Sequence, residues 1–180
     1  MVVYICCIKS INIMRKRPQI IRSNVNPLAL PHFFFAGRSV LTFRNNETGS
    51  HMTVKVKQAT DKKDRKIKLP IFFVFVSLLG DGETSYRFGG TIFQENMGIK
   101  LGKDVQPGSQ LYQVMGFLLK AVKDPEILRG KVSLLHEGRC CRCSLPLTHP
   151  ESINTGFGPD CLEYILAQNK ELSEDFFIAI

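Results

Sequence analysis

Cys140, Cys143 and Cys161 are the residues of this chain whose type and spacing could do chemistry. Two residues separate Cys140 from Cys143, so both thiolates can grip one metal ion. Cys161, eighteen residues after Cys143, offers a third sulfur. His136, four residues before Cys140, and His149 are both within reach as a fourth ligand. Four such N and S donors make the tetrahedral site of a structural zinc ion, which leaves no open position for a catalytic water.

Whether close thiols hold metal or form disulfides depends on the compartment. Met1 to Met14 is apolar, but Lys9 interrupts it and Arg15-Lys16-Arg17 follows it. A secretory leader has the opposite charge order, so the expected location is the cytoplasm, where clustered cysteines favour metal. Cys6 and Cys7 are read as incidental thiols. No stretch reaches the roughly 18 uninterrupted apolar residues of a membrane span, so no membrane partner is expected.

The net charge of +8 suggests nucleic acid until it is divided along the chain. Residues 1–30 carry +5, residues 53–69 another +5, residues 70–137 sum to zero, and residues 138–180 sum to −3. The excess sits in an N-terminal arm and one loop, while the cysteine module is acidic. That argues against a simple DNA-reading finger. The alternative use of this charge is sequence-nonspecific nucleic-acid binding, with phosphates clamped by the N-terminal arm and loop 58–69 (Lys62, Lys63, Arg65 and Lys66), helped by Arg139 and Arg142.

These residues need elements to position them. Phe33 to Arg44 is rich in aromatic and β-branched residues, and Met52 to Lys57 alternates apolar with polar, as half-buried strands do. Asn45 to Gly49 reads as the turn between them. Ile71 to Leu79 is almost wholly apolar and reads as a central strand covered on both faces. Gly80-Asp81-Gly82-Glu83 turns the chain into a fourth strand, Thr84 to Phe93, in which Gly89-Gly90 reads as a turn or bulge. Ser109 caps a helix whose Leu111, Val114, Met115, Leu118, Leu119 and Val122 fall on one face. Val132 to Leu135 is a short strand that delivers His136. Thr148 and Glu151 form a capping box for a short helix. Gly158-Pro159 opens another helix, with Cys161 in its first turn, where a thiolate is favoured.

The run from His136 through Cys140-Cys141-Arg142-Cys143 and Leu147-Thr148-His149-Pro150-Glu151-Ser152-Ile153 to Gly156-Phe157-Gly158-Pro159-Asp160-Cys161 carries a resemblance. It resembles the DUF6011 family, uncharacterised proteins found mainly in bacteriophages and bacterial mobile elements, with the pattern HxGRCGRCGRxLTxPESIxxGxGPxC. The family pattern holds a histidine at position 136 and varies at 149. The resemblance therefore implies His136, Cys140, Cys143 and Cys161 as zinc ligands. Two departures stand out: Cys141 and Ser144 replace the glycines of the usual knuckle, where glycine relieves strain at positive φ.

The fold expected is α+β, a small antiparallel β-meander packed by one amphipathic helix and followed by a C-terminal zinc-knuckle or treble-clef-like module. Residues 1–30 are expected to be a disordered extension, 31–130 the β-rich domain, 131–172 the zinc module and 173–180 a tail. No nucleophile elbow, phosphate loop or paired-carboxylate motif is present, so an enzyme is not expected. His32, His51 and His149 have no acidic partner placed beside them by sequence. The function expected is a zinc-stabilised binding or adaptor protein acting on a host or phage protein in the host cytoplasm.

Overall fold

Apolar–polar alternation decides which face of each strand is buried. Leu41 and Phe43, then Val54 and Val56, then Phe72, Val74 and Val76 are buried; Lys55, Phe73 and Phe75 between them are less so, while Thr42 is buried with its neighbours. The computed structural model describes residues 22–78 and 85–179. Among these residues, seven strands form one antiparallel sheet: β1 (Ser23–Val25), β2 (Val40–Asn45), β3 (His51–Thr60), β4 (Lys68–Ser77), β5 (Arg87–Phe93), β6 (Gly98–Leu101) and β7 (Val132–His136). Their order is β1-β7-β2-β3-β4-β5-β6. The expected Gly80–Glu83 turn lies outside the described residues, as do Met1 to Ile21.

The helices gather against the inner face. α1 (Leu30–Phe34) buries Leu30, Phe33 and Phe34. α2 (Gln110–Lys123) is capped by Ser109, whose hydroxyl accepts from the Tyr112 N–H at 3.2 Å, and buries Leu111, Met115, Leu118, Ala121 and Val122. α3 (Pro150–Thr155) and α4 (Pro159–Gln168) follow β7. All contribute to one continuous apolar cluster with the inner residues of the sheet, and that cluster includes Cys140, Cys141, Phe157 and Cys161. No described helix is long and apolar enough to cross a membrane.

Several expectations need correction. Phe33 and Phe34 lie in α1, since an apolar aromatic run suits a buried helical turn as well as a strand. Residues 23–25 are ordered as β1, paired with β7, so the fold begins inside the segment expected to be an extension. The expected tail is docked too: Phe177 is fully buried, and the Asn26 N–H donates to the Phe177 carbonyl at 3.0 Å. β4 is not covered on both faces. Ile71, Phe73 and Phe75 alternate with its buried residues and are only partly buried. Thr148 does not cap α3; His149 occupies that position with no side-chain cap.

Of the two readings of Gly89-Gly90, turn or bulge, it is a bulge: register shifts between β4 and β5 at Val74 and Phe75. Gly90 has φ 154°, and a Cβ there would meet the Lys100 carbonyl at 2.5 Å. Backbone cannot yield as a flexible side chain can. Gly90→Ala is expected to cost about 1–3 kcal/mol, read as a lower denaturant midpoint at unchanged slope. An unchanged midpoint would show that the bulge is free to relax.

Candidate metal centre

The first two cysteines sit on a very small hairpin. Arg139 and Pro146 form an antiparallel bridge, the Cys140 N–H donates to the Leu145 carbonyl at 2.8 Å, and the Leu147 N–H to the Gly138 carbonyl at 2.9 Å. The turn closes when the Ser144 N–H donates to the Cys140 carbonyl at 2.8 Å, which places Ser144 at φ 68°. Of the two positions where glycine was replaced, Ser144 therefore carries the left-handed strain. Cys141 does not have a positive φ.

Cys141 instead serves as an anchor. Its N–H donates to the Gly156 carbonyl at 3.1 Å, and its carbonyl accepts from the Arg38 N–H at 2.9 Å. Its thiol is fully buried. Burial, with the nearby Cys140 sulfur, pushes that thiol far above the ordinary range, so it stays protonated.

The third cysteine comes from α4. Gly156 stops α3 at φ 74°, and Pro159 starts α4, which places Cys161 in the first helical turn. The ligand atoms of Cys140, Cys143 and Cys161 then all lie within 4.8 Å of one another, and all three thiols are free of disulfides. Three sulfurs at that separation suit a soft or borderline cation such as zinc.

The electrostatics favour a thiolate at Cys140. Burial pushes its thiol up, yet the N–H groups of Gly158, Cys143 and Arg142, with the Cys143 thiol, hold it below the ordinary value. Cys161 moves the other way. Burial pushes it up to about 11, the neighbouring sulfurs add to that, and the Arg142 guanidinium opposes it. Three clustered sulfurs cannot all ionise cheaply without a cation among them. Arg142 donates to the Cys161 sulfur at 3.7 Å and lies over the Tyr164 ring, 3.7 Å from its centroid.

His136 stands apart from this cluster. It reaches the inner face of β7 and is fully buried, with Nε2 donating to the Ile153 carbonyl at 2.7 Å and Nδ1 accepting from the Gly138 N–H at 3.1 Å. Both ring nitrogens are thus engaged in pinning α3 and the hairpin to the sheet. That network assigns a neutral ring with its proton on Nε2. His149 precedes α3 and is also outside the cysteine cluster. Among the described residues, no histidine or carboxylate joins the three sulfurs.

Residues 135–166 match the DUF6011 family model, a family of unknown function. The DUF6011 segment holds His136, all three clustered cysteines, α3 and most of α4, and it leaves β1 to β6 outside. No curated protein and no solved structure matches the chain.

The other expected contacts are scattered. Lys62, Lys63, Arg65 and Lys66 are exposed in the β3–β4 turn. Arg139 donates to the Ser144 carbonyl at 2.9 Å, and Arg142 is committed to Cys161, so both serve the hairpin. His32 packs edge-on against Phe176 and Phe177, at 5.9 and 6.0 Å between centroids, whereas His51 opens β3.

The buried His136 makes a prediction about pH. Burial lowers its pKa below 6.5, although the Ile153 carbonyl and Glu137 oppose that. The unfolded chain therefore takes up a proton first. Its stabilising contribution is complete above about pH 6.5 and is lost as pH falls from there towards the folded value, at no more than about 1.4 kcal/mol per pH unit. His136→Gln is expected to flatten that part of the stability–pH curve. An identical acid slope in the variant would remove His136 as its source.

Proposed function

We propose that the chain is a zinc-stabilised binding or adaptor protein in which the DUF6011 segment is a structural clip of treble-clef type. The observation that carries this reading is the meeting of Cys140, Cys143 and Cys161 within 4.8 Å, with backbone N–H groups already directed at the Cys140 sulfur. A knuckle on a hairpin combined with a third ligand in the first turn of a helix has the local layout of a treble clef. The module is joined to the sheet through His136, and to the segment before β2 and α1 through Cys141 and Phe157, which suits a clip that secures a folded surface. A cytoplasmic phage or mobile-element setting and a non-catalytic role belong to the same reading.

Metal analysis of the purified chain is expected to give about one zinc per chain. Cobalt substitution should show sulfur-to-metal charge-transfer absorption. Absence of both would sink the reading. His136→Ala decides the remaining ligand question: the structure leads us to expect full metal content with reduced stability, and loss of metal would return His136 to the coordination sphere.

A further inference from the structure

The outer face of the sheet is built unlike an ordinary solvated β-surface. Residues paired across antiparallel strands point to the same side, so the register defines its rows. Lys55 pairs with Phe75, and Phe75 with Phe88. Lys57 pairs with Phe73, Phe73 with Thr91, and Thr91 with Lys100. Ile71 pairs with Phe93. Phe88 lies 5.4 Å from Phe75 and 6.5 Å from Phe73 between ring centroids, and it is 41% exposed. Tyr86 extends the aromatic strip, with the Lys55 ammonium 5.8 Å from its ring centroid.

The charge on this surface has one sign. Strands β2 to β6 contain no aspartate or glutamate, and by register Arg44, Lys55, Lys57 and Lys100 fall on this side. The nearest carboxylate beside β2, Glu137, is neutralised by Arg22 at 3.0 Å and accepts from the Thr42 hydroxyl at 2.6 Å. The β3–β4 turn continues the basic surface. Its Asp61 and Asp64 accept from the backbone N–H groups of Lys63, Asp64 and Lys66, and its lysines and arginine are exposed.

Aromatic rings interleaved with lysines on an open sheet are the two components of a single-strand platform, since bases stack on the rings and phosphates meet the cations. A folded protein partner would be expected to find acceptors for its own charges here, and strands β2 to β6 provide no carboxylate. We infer that this face binds single-stranded nucleic acid, with Phe73, Phe75 and Phe88 stacking bases and Lys55, Lys57 and Lys100 neutralising phosphates. The partner goes beyond the metal-clip reading and does not depend on zinc.

The test is fluorescence anisotropy of the full chain with labelled oligo(dT) and oligo(U) of about 15 nucleotides, titrated across salt, with metal content measured on the same sample. Single strands should bind more tightly than a duplex of equal length. Phe88→Ala and Phe88→Leu should each weaken binding about tenfold, and Phe88→Tyr should retain it. The leucine keeps the surface apolar and removes only the ring, so its loss cannot be assigned to unfolding of a buried site. Lys55→Gln with Lys57→Gln should lower the salt slope by about 1.4, or 0.7 for each phosphate released. No binding at low salt overturns the inference, as do equal affinity for duplex and binding that Phe88→Leu leaves unchanged. Each of these results with one zinc still present leaves the metal reading intact.

Discussion

Cys161→Ser is expected to release the metal and to unfold residues 135–166, the largest effect available from one side chain. Structural zinc contributes an apparent 10–16 kcal/mol in small zinc modules at neutral pH, comparable with the whole stability of a typical domain. Without the cation, the three sulfurs return to a buried cluster in which Cys161 is pushed up to about 11, and the start of α4 keeps only the Gly158 N–H on Cys140 and the Arg142 contacts to Cys161 and Tyr164. Hydrogen exchange should show protection lost across α3 and α4 while β3 to β5 stay protected. Cys141→Ala is the contrast: its thiol is buried, neutral and outside the cluster, so the metal should stay. Metal retained in Cys161→Ser, or lost in Cys141→Ala, would show that the ligands have been assigned wrongly.

The second large effect is expected at Phe157. Its ring is fully buried, stacked on Phe33 of α1 at 5.2 Å and edge-on to Phe177 at 5.4 Å. Phe33 in turn meets Phe177 at 5.6 Å. The three rings join the DUF6011 segment, α1 and the C-terminal turn. Phe157→Ala is expected to cost about 3–5 kcal/mol, which lowers the melting temperature by about 10 °C in a chain of this size. Metal content should be unchanged, because Phe157 is not part of the three-sulfur cluster. A small shift in melting temperature would mean that the module docks through the Arg38 N–H bond to the Cys141 carbonyl instead.

The three clustered sulfurs were legible in sequence because local chain geometry brings them together. A two-residue spacer closes a knuckle, and a proline-started helix presents its first turn. The position of His136 outside the sulfur cluster was not legible, for the opposite reason. Whether it reaches metal or the Ile153 carbonyl depends on how α3 lies on β7, which no spacing records. The longer strands announced themselves by alternation, whereas β1 and β6, at three and four residues, are shorter than any periodicity. The apolar run of β4 was overread as doubly buried. Phenylalanines on its outer face look the same in sequence as core residues, and only the lack of a covering element among the described residues separates them.

The place of β7 has a consequence for synthesis. Ser23 pairs with His136, and Leu41 with the same residue on the other side. At roughly 5–20 residues per second, the ribosome needs on the order of ten seconds to deliver the strand that both are waiting for. During that interval the meander from β2 to β6 can close, while β2 presents an open row of backbone donors and acceptors to any foreign strand. A nascent chain arrested before residue 132 should therefore recruit holdase chaperones or aggregate, and one released beyond Phe177 should do neither. Quality control of this protein is thus expected to be a matter of timing, decided by the stretch from β7 to Phe177.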